Sequence, residues 1–286
     1  MANTRDIRRR IKSIKNTAQI TKAMQMVAAA KMRKAQMQAS AGRPYSTLLD
    51  EIATHMQGAA GDFTHPLIQG RPVKKRAVLV ITTDKGLCGG LNTNLLKEIQ
   101  LKHTPNTVYV SVGRKGRLYL ARTGKELLAD FEIKDGFTFR DSKRVSSFLL
   151  DLFEKGEIDE IEVAYSKYIN AMVQQPTIFK LAPIGADKVK LGTEEPAKSG
   201  SADALFEPSA EELLGKLLPF YIHFEVYQNI LNAKASEHSA RMVAMKNATD
   251  NAKQIVKDLT LLYNKVRQAS ITTELLEITT AQAVLN

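Results

Sequence analysis

The chain has 286 residues, 44% of them hydrophobic, and carries a formal net charge of +11. Its single cysteine, Cys88, excludes an intrachain disulfide and any site with several cysteine ligands. No apolar run approaches the roughly 18 residues needed to cross a bilayer, and the basic N-terminus lacks the apolar core of a secretory signal. We therefore expect a soluble protein on the cytoplasmic side.

The first 41 residues contain neither glycine nor proline and have the spacing of a helix seam. Apolar or small side chains step by four and three residues, as in a two-stranded coil, at Ile7, Ile11, Ile14, Ala18 and Thr21. We expect this helix to continue past Gly42 and Pro44 to about residue 57, with a kink or a break at Pro44.

The net charge is concentrated on this first helix. Residues 1 to 40 hold ten Lys or Arg against one acid, Asp6, whereas residues 209 to 286 hold eight of each sign. Because few acids are near enough in sequence to pair with these bases, the helix predicts an anionic partner. Nucleic acid, an anionic membrane surface and acidic protein segments are the candidates.

From Lys74 onward the pattern changes to that of an α/β domain. The apolar run Ala77 to Ile81 is typical of a buried parallel strand, and a glycine-rich turn and an amphipathic stretch to Lys102 follow it. Residues 107 to 112 predict a second strand, followed by a short helix ending near Thr123. These alternations predict a small α/β sheet.

A third strand and helix unit completes this predicted domain. Asp141 or Ser142 is the expected cap of its helix, and residues 158 to 164 predict its strand. Residues 165 to 181, interrupted by Pro176, predict an additional pair of edge segments.

The glycine-rich turn from Gly86 to Gly90 invites comparison with phosphate-binding loops. It matches neither GxxxxGK[ST] nor GxGxxG, so the lysine and hydroxyl of one motif and the three glycines of the other are absent. An enzyme that cradles a phosphate here is therefore a weak alternative. Cys88 has no evident histidine partner, which favours a small buried side chain over a nucleophile.

The C-terminal stretch, residues 220 to 286, again lacks glycine and proline and predicts one very long helix. Its predicted seam consists of Ile255, Leu259, Leu262, Val266 and Ala269. A stripe of small side chains, which allows a second helix to approach closely, consists of Ala240, Ala244, Ala248 and Ala252. The predicted fold is an antiparallel coiled coil of the N- and C-terminal helices plus a small Rossmann-like α/β domain. The predicted divisions are 1–57, 74–182, a flexible linker 183–208, and 209–286.

Three stretches together resemble one family, the gamma subunit of the F-type ATP synthase in its bacterial form. The run from Ile7 to Thr17, continued by Ile20 to Met24, is similar to that family's opening helix, and Asp84 to Asn92 is similar to its central-domain turn. Its most specific block is matched by Ser236 to Ala252 and Tyr263 to Thr272.

The resemblance implies a central-stalk rotor subunit with no catalytic, cofactor or metal site of its own. Such a subunit transmits torque from a proton-driven c-ring to the catalytic sites on the beta subunits, and so couples proton transport to ATP synthesis. The implied partners are the alpha and beta subunits in a hexameric ring, the epsilon subunit and the c-ring, with no nucleic acid. Membrane association is through the c-ring only, at the cytoplasmic face of the bacterial plasma membrane.

The resemblance also implies contact residues. The surrounding ring is expected to contact Met24, Lys85, Cys88, Arg241, Gln268, Thr272 and Glu274, with Lys85 and Cys88 near an acidic lever segment of beta. Phe206 and Glu207 are expected to approach the c-ring. The chain departs from the family after Glu277 and Ile278, where Thr279 to Gln282 replace the usual glycines, and it lacks the regulatory cysteine pair of chloroplast members. The alternative function is a basic helical nucleic-acid-binding protein, whose affinity should fall steeply with salt.

Overall fold

The computed structural model describes residues 4–59, 65–68, 70–184 and 210–285. A long helix lies at each end of the sequence, and strands alternate with shorter helices between them, which confirms the predicted fold class. The elements are α1 (Thr4–Ala59), β1 (Arg76–Ile81), α2 (Leu91–Leu101), β2 (Thr107–Val112), α3 (Arg114–Arg122), β3 (Leu127–Phe131), α4 (Phe139–Glu154), β4 (Glu160–Tyr168), β5 (Gln174–Ala182) and α5 (Ala210–Leu285). Most of the predicted linker, from residue 185 onward, lies outside the described residues.

The strands form one sheet with the order β3-β2-β1-β4-β5. The first four strands are parallel, and β5 pairs antiparallel with β4 at the edge. The central strand β1 aligns Leu79 with Val110 of β2 and with Val163 of β4. All three of these side chains are fully buried, as expected for a parallel sheet covered on both faces.

Two apolar layers cover the sheet. On one face, Leu79 and its neighbours pack with α4 and with the first part of α5, including Phe153 and Ile222. On the other face, Val80 packs with Leu95 of α2 and with α3. The first part of α5 therefore belongs to the core of the α/β domain.

Helix α4 begins earlier than predicted. It starts at Phe139 after the N-cap Thr138, so the expectation of a cap at Asp141 or Ser142 is wrong. Asp141 accepts hydrogen bonds from the Thr138 main-chain N–H at 2.8 Å and from its hydroxyl at 2.9 Å. Asp141 is therefore the third residue of the helix, and its side chain bonds back to the N-cap residue in a capping box.

The edges of the sheet differ from the prediction in two places. Strand β3 was not predicted, because it is short, alternates half-buried and exposed residues, and carries the charged Asp130. The expected pair of edge segments at residues 165 to 181 is instead the end of β4, a turn, and the strand β5, which continues through Pro176. An edge strand tolerates this proline because one side of its backbone needs no ladder partner.

The described chain divides into two compact units, residues 30–240 and residues 1–29 with 241–286. Within the first unit, α1 and α5 pack antiparallel. The Tyr45 ring meets the Phe224 ring at 4.9 Å and the Phe220 ring at 6.2 Å, while Gly42 lies against Gln228. The described α1 is a single helix that does not break at Pro44.

Within the second unit, α1 presents the predicted seam to its partner. Ile7 is buried, and Ile11, Ile14, Ala18 and Thr21 are half-buried between exposed neighbours. The Thr21 and Thr249 hydroxyls form a hydrogen bond of 2.7 Å between the two helices. The predicted α1 seam is therefore confirmed residue by residue.

The predicted seam of α5 is partly wrong. Leu259 and Val266 are half-buried as expected, but Ile255 and Leu262 are exposed by 47% and 44%, and Ala269 is exposed. The observed seam consists of Met245, Thr249, Ala252, Val256, Leu259, Tyr263 and Val266. The observed seam retains steps of four and three residues, but Val256 takes the place of Ile255 and Tyr263 takes the place of Leu262.

Candidate functional site

The glycine-rich turn after β1 is held by its own side chains. Asn92 accepts a hydrogen bond from the Thr83 main-chain N–H at 3.2 Å and donates to the Thr83 hydroxyl at 2.8 Å. Its amide also reaches the Cys88 sulfur at 3.5 Å, and Cys88 is buried against Leu91 and Ala240. The polar interior of the turn is thus filled by protein groups where a phosphate cradle would need free N–H groups.

The crevice at the carboxyl ends of β1 and β2 is filled as well. In doubly wound folds this is the usual place for a nucleotide. Here Ile230, Ala233, Lys234 and Glu237 of α5 line it, and the remaining cavity is about 20 Å³. That space suits one water molecule, so this crevice has no room for a nucleotide.

Helix α5 is fixed to the α/β domain by polar contacts as well as apolar ones. The Tyr168 main-chain N–H donates to the Asn232 side-chain Oδ1 at 2.6 Å, and the Ser239 hydroxyl donates to the Ala171 main-chain carbonyl at 2.8 Å. His223 contacts the Ser146 hydroxyl at 2.6 Å. Burial and, to a smaller extent, the charge of Lys143 lower the pKa of His223, which favours its neutral form.

An ion cluster lies around Asp135, in the loop between β3 and α4. Its carboxylate is 2.6 Å from the Lys31 Nζ of α1, 3.7 Å from the Lys234 Nζ and 3.8 Å from the His238 Nε2 of α5. Partial burial raises the pKa of Asp135, but the Lys31 hydrogen bond and the charges of Lys234 and His238 outweigh it. The pKa of Asp135 is therefore lowered.

The expected ring contacts occupy several different environments. Met24 and Arg241 are half-buried, and Lys85 is exposed, while Cys88 is buried beneath the turn. Gln268, Thr272 and Glu274 are exposed on α5. Phe206 and Glu207 lie outside the described residues. The proposed contacts themselves remain predictions.

The last part of α5 has no covering from the described α1. Residues 267 to 280 are all exposed, whereas the half-buried seam ends at Val266. Ile271, Leu275 and Ile278, spaced by four and three residues, are exposed by 48%, 58% and 63%. An apolar helical stripe of this kind is typical of a surface that another chain covers.

The basic face of α1 is also open. Its five cationic side chains are exposed, and none has an ion-pair partner among the described residues: Arg8, Arg9, Arg10, Lys12 and Lys15. An acidic partner for this face remains a prediction from the charge distribution. In the part of the chain that the structure describes, no helix is long and apolar enough to span a membrane. Nor do the described residues contain a cluster of three or more metal-binding side chains.

Solved structures share this architecture. A chain of the Euglena gracilis mitochondrial ATP synthase, in a structure of its OSCP, F1 and c-ring parts, matches with a TM-score of 0.70 at 22% identity. That match covers 99% of this chain and 94% of the other. A chain of the Tetrahymena thermophila mitochondrial ATP synthase central stalk and c-ring matches 80% of this chain and 99% of its own, with a TM-score of 0.61 at 24% identity. At these identities the matches establish the fold.

Sequence relatives are closer. A family model described as ATP synthase matches residues 3–285. The ATP synthase gamma chain of Methylacidiphilum infernorum is 58% identical, and the match covers 99% of each chain. The chain belongs to the ATP synthase gamma chain family. The gamma chain of Opitutus terrae is 49% identical over 99% of this chain and 98% of its own. Family members are non-catalytic subunits and form the central-stalk rotor of F-type ATP synthases, which couple proton transport to ATP synthesis.

One feature of this chain, the ion cluster at Asp135, has no signal in its sequence. Asp135 lies in a loop with no motif, and its partner Lys31 is 104 residues away. The block from Ser236 to His238, matched by the resemblance, is buried within the unit 30–240. Those residues therefore fix α5 to the α/β domain, and the exposed matched positions further along the helix are the better candidates for ring contacts.

Proposed function

We propose that this chain transmits torque from a c-ring to catalytic sites on beta subunits, in a complex at the cytoplasmic face of a bacterial plasma membrane. One observation supports the proposal most directly. The chain aligns over almost its full length with a gamma chain, and its α5 continues past the covered seam as an exposed helix with an apolar stripe.

The exposed apolar stripe favours burial of this part of α5 by surrounding subunits. Ile271, Leu275 and Ile278 would remain about half exposed if the chain acted alone, so burying the rest of each is worth roughly half of the 1.5–3 kcal/mol of a whole side chain. Gln268, Thr272 and Glu274 lie on the same segment and would provide polar contacts with ring loops. Alpha and beta subunits are the proposed surrounding subunits.

The base of the helix pair is the proposed site of electrostatic contact. The open cations of α1, with the half-buried Met24 beside them, would face an acidic lever segment of beta. Lys85 would approach the same segment from the α/β domain, and Cys88, buried beneath that turn, would lie close without presenting its sulfur. Arg241 would engage ring loops at the point where α5 leaves the domain.

The remaining proposed partners are the epsilon subunit and the c-ring. Membrane association would be through the c-ring only, with Phe206 and Glu207 as the predicted contacts. A nucleic-acid partner is not proposed, because the match with a gamma chain over almost the full length supports a protein partner for the basic helix.

The test is purification from membranes. A tag on this chain should recover alpha, beta and epsilon subunits and the c-ring from detergent-solubilised membranes of its host. Recovery of the chain without alpha and beta would overturn the proposal.

A matched pair of variants tests the ring contacts. Thr272 and Thr260 are both exposed threonines of α5 whose hydroxyls bond back to the helix, at 2.9 and 2.7 Å. Thr272→Ala and Thr260→Ala should therefore lower the stability of the helix by the same amount. We expect only Thr272→Ala to lower the ATP synthesis rate of the assembled complex, and equal rates would contradict a contact at Thr272.

A further inference from the structure

The ion cluster at Asp135 joins three parts of the chain that are far apart in sequence. Its carboxylate lies on the loop that follows β3, its nearest cation is Lys31 on α1, and Lys234 and His238 on α5 lie further from it. One carboxylate thus faces both long helices from the α/β domain.

The two sides of the cluster differ in burial. The Lys234, Glu237 and His238 side chains of α5 are exposed by only 12%, 7% and 6%, and Lys234 also pairs with Glu237 at 3.3 Å. By contrast, the Lys31 and Asp135 side chains are exposed by 47% and 46%. The α5 side is therefore fixed by its burial, while α1 is attached through a half-exposed ion pair.

The attachment of α1 to the sheet domain depends on few polar groups. Among the described side chains of α1 between residues 30 and 59, Lys31 is the one that forms an ion pair with the α/β domain. Helix α5 has in addition the hydrogen bonds of Asn232 and Ser239 to β4 and the following turn. Loss of the Asp135 charge should therefore loosen α1 more than α5.

The position of the cluster along the helices is also informative. Lys31 lies two residues after Ala29, and His238 lies three residues before Arg241, where α1 and α5 leave the compact unit 30–240. The cluster therefore lies at the ends of the α1 and α5 segments that belong to this unit.

We propose that Asp135 is a positioning residue that clasps α1 and α5 to the α/β domain, so that both helices turn with it. This inference rests on the proposed function, because only a rotor must pass twist from its domain to its helices. With the clasp open, apolar packing alone holds α1 to the rest of the unit, and α5 carries more of the twist. Part of each turn is then lost, and fewer protons move for each ATP hydrolysed.

The test compares three variants in the assembled, membrane-bound ATP synthase. Asp135→Asn removes the charge at nearly constant shape, and Asp135→Glu retains it. Asp130→Asn is the matched control, because Asp130 is equally exposed and pairs with Arg117 at 3.4 Å, within the sheet domain and away from both long helices. ATP-driven proton pumping is divided by the ATP hydrolysis rate of the same membranes.

We expect Asp135→Asn to lower this ratio, while Asp135→Glu and Asp130→Asn keep the wild-type ratio. A wild-type ratio in Asp135→Asn, or an equal fall in Asp130→Asn, would overturn the clasp. Either result leaves the proposed function intact, since that is tested by recovery of alpha and beta subunits with the unaltered chain.

A second variant covers the case in which Asp135→Asn fails to assemble. Lys31→Gln removes only the α1 side of the clasp, at a half-exposed helix position where little stability is lost. Hydrogen exchange of the complex should then show faster exchange of α1 amides around residue 31 and unchanged exchange around residue 234. Unchanged exchange in both segments would overturn the inference.

Discussion

Replacement of Gly113 by alanine should be among the most damaging single changes in the α/β domain. Gly113 follows β2 with φ of 98° and ψ of 145°, a region that side chains other than glycine rarely adopt. A Cβ at this position would lie 2.3 Å from the Thr82 carbonyl oxygen, a backbone atom that cannot turn away. The ends of β1 and β2, which border the filled crevice, would have to move apart.

The magnitude follows from two costs. The disfavoured backbone conformation costs about 1–3 kcal/mol, and forcing an atom into a packed site costs about 1–3 kcal/mol more. We therefore expect Gly113→Ala to lower the free energy of unfolding by about 2–6 kcal/mol, out of the 5–15 kcal/mol typical of a domain. Urea unfolding of the full chain, followed by circular dichroism, measures this loss.

Gly136 provides the control, because its φ of 83° is also positive while a Cβ there would meet no atom within 4 Å. Gly136→Ala should lose only the backbone cost, about 1–3 kcal/mol. Equal losses for the two variants would refute the argument that the Thr82 carbonyl excludes a side chain at Gly113.

Three further predictions concern α5 and its partner helix. Burial lowers the pKa of His223 in the native state, so that below about pH 6.5 the unfolded chain gains a proton that the folded chain does not. The loss of stability between pH 7.5 and 5.5 should therefore be smaller in His223→Gln, and an unchanged loss would exclude this residue as a source. The Thr21–Thr249 hydrogen bond of 2.7 Å predicts a coupling of about 0.5–1.5 kcal/mol between Thr21→Val and Thr249→Val in a double-mutant cycle, with zero coupling as the contrary result. Val256→Ala should cost about 1 kcal/mol and the neighbouring Ile255→Ala less than about 0.5 kcal/mol, although isoleucine is larger, because Ile255 is 47% exposed. The reverse order would contradict the observed seam.

The predicted seam is confirmed on α1 but partly wrong on α5, and this difference has a physical reason. On α1, charged residues flank the apolar stripe, so one helical face is clearly distinguished and Ile7 and Ile14 were placed correctly. On α5, apolar residues occupy more than one face, and Ile255, Leu261 and Leu262 are exposed in this chain. Periodicity alone does not tell which apolar face meets the partner helix within the chain.

The local elements were predictable where a strong pattern was continuous. The strand at residues 107–112 was predicted with its observed bounds, because both of its faces are buried. β3 was missed, since a half-covered edge strand with a charged residue has a weak pattern. The start of α4 was misplaced because an acid in the first turn was mistaken for the cap residue.

Contacts between distant residues were beyond sequence reasoning. The motif of the turn at residues 86–90 lacks the residues of a phosphate loop, and only the structure adds that α5 occupies the neighbouring crevice. The Asp135 cluster depends on helices and a loop brought together only by the fold. No local spacing indicates such an ion pair.

The most direct test of the rotor function is to observe rotation. Cys88 is buried, and Leu101 at the end of α2 is 78% exposed, so Leu101→Cys supplies one accessible thiol for a bead or gold particle. In a complex with immobilised alpha and beta subunits, we predict that the particle rotates in one direction while ATP is hydrolysed and stops when ATP is removed. A stationary particle on a complex that continues to hydrolyse ATP would contradict a rotor function for this chain.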